Sequence, residues 1–192
     1  MQQEFKNTLN QHAEAFSASF DGAGLNVLEA MSREMLKAFK YVKKILLCGN
    51  GGSAADSQHI AAEFTGRFKR ERRSLPAIAL TIDTSALTAI ANDYSYDSVF
   101  ARQVEGLGQP GDVLIAISTS ANSKNVLHAV SEAKKNQMIT LGFTGKEGGI
   151  LKNITDICFY AQSAQTSHIQ EMHITALHAL SEVVENILFG DA

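Results

Sequence analysis

Lys43-Lys44-Ile45-Leu46-Leu47-Cys48-Gly49-Asn50-Gly51-Gly52-Ser53-Ala54-Ala55-Asp56 passes from a short apolar run into a glycine-rich turn and then into a stretch that reads as the start of a helix. The run Ile45 to Cys48 is continuous rather than alternating, as expected of a strand covered on both faces by crossover helices. Four more runs of this kind follow: Ala77 to Ile82, Val113 to Ser118, Met138 to Phe143 and Ile157 to Tyr160. Each is closed by small or polar residues and followed by a helical stretch, so five buried parallel strands are expected. The fold class is α/β, a three-layer α/β/α sandwich around a five-stranded parallel sheet. Pro76 and Pro110 sit near strand entrances, where a lost backbone donor is tolerated.

Outside this core, residues 1–42 have helical periodicity, with Phe5, Leu9, Phe16 and Phe20 in one set and Leu28, Met31, Met35 and Phe39 in the next. Gly22 and Gly24 are expected to separate the two helices. A last helix, from about Ile169 to Leu188, carries apolar residues at Ile169, Met172, Ala176, Leu180, Val183 and Ile187 and a further set at Leu177, Val184 and Leu188. So broad a stripe packs against two neighbours, one the sheet and the other a partner subunit, which points to a homo-oligomer.

The 192 residues, 45% of them apolar, suffice for one domain, with no linker or repeat to divide it. A formal charge of −3 gives no basic excess for a nucleic-acid backbone, so DNA or RNA is not an expected partner. Cys48 and Cys158 fit no C-x-x-C or zinc-finger spacing and read as buried thiols. The N-terminus has no apolar signal core, and no run approaches a membrane span, so a cytoplasmic protein without membrane contact is expected.

Two loops suit a phosphate. Gly49-Asn50-Gly51-Gly52-Ser53 opens a helix, whose first N–H groups and positive dipole end attract an anion, although a tight turn needs glycine for steric reasons alone. Ile117-Ser118-Thr119-Ser120-Ala121-Asn122-Ser123 places four hydroxyls at the carboxyl edge of the sheet, where open α/β sheets bind ligands. One such residue would suffice as an N-cap. Hydroxyls without a lysine suit a phosphomonoester more than a nucleotide triphosphate, and no nucleotide cofactor is expected.

His59 and Glu63, four residues apart, project from one helix face, with Arg67 one turn further on. After Ala61-Ala62 the Glu63 carboxylate would be partly desolvated and a better proton acceptor. The last helix brings Gln170, Glu171, His173 and His178, polar groups that something must satisfy. With His59 and Glu63, His178 could complete an acid/base pair or a His/His/carboxylate metal site; spacing does not choose between them. Asn92-Asp93, in a loop after Ala91, could bind sugar hydroxyls, though it is also ordinary turn chemistry.

Four ordered motifs, Cys48-Gly49-Asn50-Gly51-Gly52-Ser53, Ala91-Asn92-Asp93-Tyr94, Ile117-Ser118-Thr119-Ser120-x-Asn122-Ser123 and Ile169-Gln170-Glu171-Met172-His173, resemble the sugar isomerase (SIS) domain, specifically the phosphoheptose isomerases. The resemblance runs nearly end to end and implies a single SIS domain of flavodoxin-like topology over residues 1–192. It implies a homotetramer that converts D-sedoheptulose 7-phosphate into D-glycero-D-manno-heptose 7-phosphate, the first step toward ADP-heptose and lipopolysaccharide core. The implied substrate contacts are Asn50, Gly51, Gly52, Glu63, Asn92, Asp93, Ser118, Thr119, Ser120, Ser123 and Gln170, and Ser53 and Arg67 join them as candidates. The resemblance puts zinc, one ion per subunit, on His59, Glu63, Gln170 and His178. It makes Glu63 the base and His178 the acid of an enediol(ate) mechanism that needs no redox cofactor.

Two features depart from that pattern: Ser167-His168 stand where Asp-Arg is usual, and Ala121 stands where glycine is usual. The first bears on sugar and subunit contacts, the second only if the position needs a positive φ. The alternative is a noncatalytic SIS module that binds a protein partner such as the replication initiator, but such modules tend to lose the acid and base that Glu63 and His178 supply here. A sugar-phosphate-sensing regulator would need a helix-turn-helix domain, for which some forty residues before the first strand leave too little chain.

Overall fold

In the computed structural model, which describes residues 1–190, the run Ile45–Gly49 forms strand β1, and all five of its residues are buried. Ile45 and Leu47 enter one apolar core, while Leu46 and Cys48 enter a second on the opposite face. The other strands are β2 (Ala77–Ala79), β3 (Val113–Ile117), β4 (Ile139–Gly145) and β5 (Ile157–Ala161). All pairings are parallel and the order is β2-β1-β3-β4-β5, so the expected three-layer sandwich is what forms. Burial on both faces is the cause of the continuous apolar runs.

Helices α1 (Gln2–Ser19) and α2 (Gly22–Lys40) precede the sheet. The break falls at Phe20-Asp21 rather than at the glycines. Asp21 caps α2 by accepting from the Gly24 N–H at 2.9 Å, so Gly22 and Gly24 belong to its first turn. Met31, Met35 and Phe39 of α2 are fully buried, whereas Phe5, Leu9 and Phe16 of α1 are 67%, 65% and 42% exposed. Of the first apolar set only Phe20 therefore packs against the core, on Phe159 at 5.6 Å.

Crossovers are made by α3 (Gly52–Thr65), α4 (Thr84–Asp93), α5 (Ala101–Leu107), α6 (Lys124–Lys135) and the one-turn α7 (Leu151–Ile154), and the long α8 (Thr166–Phe189) follows the last strand. α2, α3 and α8 supply the first core, and α5 and α6 supply the second. β1 and β3 lie side by side, yet α3 and α6 leave them toward opposite faces. This is the topological switch point of the sheet, where a crevice opens at the strand ends.

Two expectations from the sequence are corrected. β2 stops at Ala79 instead of running to Ile82, which is 59% exposed; an edge strand paired on one side only has nothing to extend it. Asn92-Asp93 close helix α4 rather than lying in a loop.

Candidate active site

β1 pairs with β3 so that Gly49 lies opposite Ile117, which sets Asn50 beside Ser118 at the switch point. Gly51, at φ 57° and ψ −121°, caps α3 in a conformation suited to glycine alone. Gly52 matters for a different reason. A Cβ there would lie 2.2 Å from the Gln170 carboxamide, so the absent side chain is the space that Gln170 of α8 occupies. Neither α3 nor α6 has a side-chain N-cap, although Ser123 stands at the cap position of α6. Ser118 donates instead to Ser123 Oγ at 3.0 Å and lies 3.4 Å from Ser120 Oγ, which leaves the hydroxyl loop gathered rather than spent on capping. Ser53 and Ser118 are buried, Thr119 and Ser123 half-buried and Ser120 exposed.

Ala121 has φ 59°, so this is a left-handed position that glycine would occupy without strain. Its carbonyl accepts from Leu151 N–H at 3.1 Å, and the Asn122 side chain accepts from Ile150 N–H at 3.2 Å. These bonds tie the hydroxyl loop to the turn after β4.

Further along α3, His59 Nε2 lies 3.1 Å from Glu63 Oε1 and 3.4 Å from His178 Nε2 of α8. The three ligating atoms lie within 4.8 Å of one another. The sequence had brought these residues together only as candidates, and the packing of α8 along α3 is what joins them. Only 21% of the Glu63 side chain is exposed, against 51% for His59. Phe68 stacks on the His178 ring at 5.8 Å. Burial lowers the His178 pKa, the positive charge of His59 lowers it further, and Glu63 works in the opposite direction. The imidazole is therefore held toward its neutral form, able to donate or accept a proton or to ligate a cation.

The Glu63 end of α3 is braced by a buried ion pair. Arg72 Nε donates to Glu185 Oε1 at 2.9 Å, and its Nη2 donates to the Glu63 carbonyl at 2.7 Å. Glu185 also accepts the N–H groups of Phe68, Lys69 and Arg70. Burial alone would raise its pKa, but these donors together hold it below the ordinary carboxylate range.

Several expected residues fall elsewhere. Arg67 lies past the end of α3, not one turn along it; it is exposed and pairs with Glu71 at 3.9 Å. Asn92 and Asp93 are exposed and bond to each other at 2.9 Å, with no contact to the His59–Glu63–His178 group among the described residues. Of the polar groups on α8, Glu171 pairs with His12. His173 is fully buried, with Nε2 3.0 Å from the Thr144 carbonyl. At the departure from the usual Asp-Arg, Ser167 is exposed, while His168 is buried and packs edge-on against His12 at 5.7 Å.

Asp56 was missed. It is 7% exposed, its Oδ2 has no partner and burial raises its pKa to about 6, opposed by a hydrogen bond with Gln170 and the charge of His59. The signal was available in the spacing: Asp56, His59 and Glu63 fall three and seven residues apart along one stripe of α3.

A switch-point crevice with a hydroxyl loop, beside an α/β sheet of this order, defines a sugar isomerase (SIS) domain, and a family model of that description matches residues 8–145. A phosphoheptose isomerase from Nitratiruptor sp. is 54% identical over 185 residues, 96% of this chain and 98% of that protein. The structure of a phosphoheptose isomerase from Neisseria gonorrhoeae superposes with a TM-score of 0.91 at 40% identity, covering 96% of this chain and 98% of the other. One from Francisella tularensis gives 0.92 at 32% identity, covering 96% and 97%. The chain belongs to the phosphoheptose isomerase family.

Proposed function

We propose that this chain interconverts D-sedoheptulose 7-phosphate and D-glycero-D-manno-heptose 7-phosphate. The observation that carries the reading is the convergence of Glu63, His59 and His178 on one point. It lies on helices α3 and α8, and α3 begins at the glycine turn beside the hydroxyl loop. From Gly52 to His59 the α3 backbone rises about 10 Å, a length that suits an extended seven-carbon sugar with its phosphate at the glycine and hydroxyl loops. Gln170 and Asp56 stand between the two ends.

The Glu63 carboxylate takes the proton from C1 of the ketose and returns it to C2 of the enediol(ate), while the His178 imidazole moves a proton between the two oxygens. Asn50, Gly51, Gly52, Ser53, Ser118, Thr119, Ser120 and Ser123 bind the phosphate end. Arg67, Asn92 and Asp93, exposed in the single chain, serve the sugar through the assembled oligomer.

Two imidazole nitrogens and a carboxylate oxygen facing one another fit a zinc ion, and the crowding of the two Nε2 atoms at 3.4 Å is the arrangement a cation relieves. His59, Glu63 and His178 would hold it, with Gln170 as the fourth ligand. Bound there, zinc supplies charge that steadies a developing oxyanion. Glu63 and His178 cannot be wholly committed to the ion and also exchange protons, so either the ion would shift during turnover or its role would be structural. The proposal extends to a cytoplasmic homotetramer of one SIS domain over 1–192 that acts at the start of ADP-heptose synthesis. The exposed apolar residues of α1 and α8 support the oligomer.

Steady-state turnover of Glu63→Gln and His178→Gln tests the assignment. Each is expected to lose about 10²- to 10⁴-fold in kcat with an unchanged circular dichroism spectrum; wild-type turnover in both would overturn it.

A further inference from the structure

One hydrogen-bonded set at the switch point has a polarity that follows from its donors alone. The backbone N–H of Val126 can only donate, and it donates to Asn125 Oδ1 at 3.0 Å. That fixes the Asn125 carboxamide, so the group it turns to Asn50 includes its NH2, which donates to Asn50 Oδ1 at 2.9 Å. Asn50 Nδ2 donates back to Asn125 Oδ1, also at 2.9 Å, closing a reciprocal amide pair across the two phosphate loops. The Tyr96 hydroxyl, from the turn after α4, donates to the same Asn50 Oδ1 at 3.0 Å. A carboxamide oxygen accepts two hydrogen bonds and its nitrogen donates two. Asn50 therefore has both acceptor positions filled and one Nδ2–H left. Asn125 is 3% exposed, so water does not substitute for its partners.

We propose that Asn125 and Tyr96 are positioning residues that lock the Asn50 carboxamide in one orientation, so that its remaining Nδ2–H is offered to an acceptor oxygen of the sugar phosphate. This rests on the sugar-phosphate reading of the site. An amide free to flip would present its oxygen half the time and repel a phosphoryl or carbonyl oxygen; the locked amide does not. Neither positioning residue is among the substrate contacts inferred from the sequence, because their effect arises only when two turns and the start of α6, distant in the chain, meet.

The test is a double-mutant cycle. Tyr96 is 60% exposed, so Tyr96→Phe removes the hydroxyl without disturbing the core. It is expected to raise KM, and the Kd of sedoheptulose 7-phosphate measured by calorimetry, about fivefold with kcat within about twofold of wild type. In an Asn50→Ala background it is expected to change neither Kd nor KM further. An equal factor in both backgrounds, or a fall in kcat at constant KM, would overturn the proposal. A ligand-free readout separates this from the isomerase reading. In the ¹⁵N–¹H spectrum, Asn50 should show one side-chain proton shifted downfield and slow to exchange, and one not. Equally fast exchange of the two protons, which differ in shift in any carboxamide, would refute the locked orientation whatever the substrate, whereas selective protection of one of them in a protein without turnover would count against the isomerase reading alone.

Discussion

Gly52 shows how a single residue can matter through what it lacks. The Gln170 carboxamide fills the space a Cβ would take, at 2.2 Å, and Gln170 in turn opposes the rise that burial gives the Asp56 pKa. Gly52→Ala must push Gln170 out of line with His59, Glu63 and His178. Since misplacing a positioning group by about 1 Å can cost 10²-fold, a loss of at least about tenfold in kcat/KM is expected, with a melting temperature close to wild type because the site is open to solvent at Gly52. Activity and melting curves on the same preparation check it. Asp56 teaches the companion lesson: its position was visible in the sequence, but its burial and its partner on α8 were not.

Among the elements, α8 carries three histidines, two of which have opposite duties. His178 faces the site, while His173 is the ordinary core histidine, bonded to the Thr144 carbonyl and with its Nδ1 unpartnered. Burial lowers the His173 pKa to about 4, and the bond to Thr144 only partly opposes this. A histidine whose folded pKa is depressed stabilises the fold above its unfolded pKa of about 6.5, and that contribution is lost as pH falls toward the folded value. Denaturant unfolding should therefore show stability falling between pH 6.5 and 4 by up to about 3 kcal/mol from this group, and His173→Gln should flatten the fall. The strands were legible because burial on two faces leaves unbroken apolar runs, and the last helix because its stripe is long. Boundaries set by tertiary contact were not: β2 ends where its single neighbour no longer supports it, and Arg67 leaves the helix at Gly66. The Asn50–Asn125 pair spans 75 residues, a separation at which local pattern carries no information.

For the whole molecule, the single chain leaves apolar surface uncovered. Leu25 and Leu28 of α2 and Val183 and Ile187 of α8 line an open, largely apolar groove of about 290 Å³, and Phe5, Leu9 and Phe16 of α1 add to the uncovered area. Faces of this kind mark association sites. Sedimentation of the wild type should give a tetramer, and Ile187→Glu should give smaller species with weakened activity; a wild-type monomer would contradict the assembly. No helix among the described residues is long and apolar enough to cross a membrane. The central claim concerns chemistry, and it is tested most directly by giving the purified protein sedoheptulose 7-phosphate in heavy water and following the product by NMR. Heptose 7-phosphate carrying deuterium at C2 is the predicted result; a folded protein that gives neither product nor exchange, with or without zinc, would contradict it.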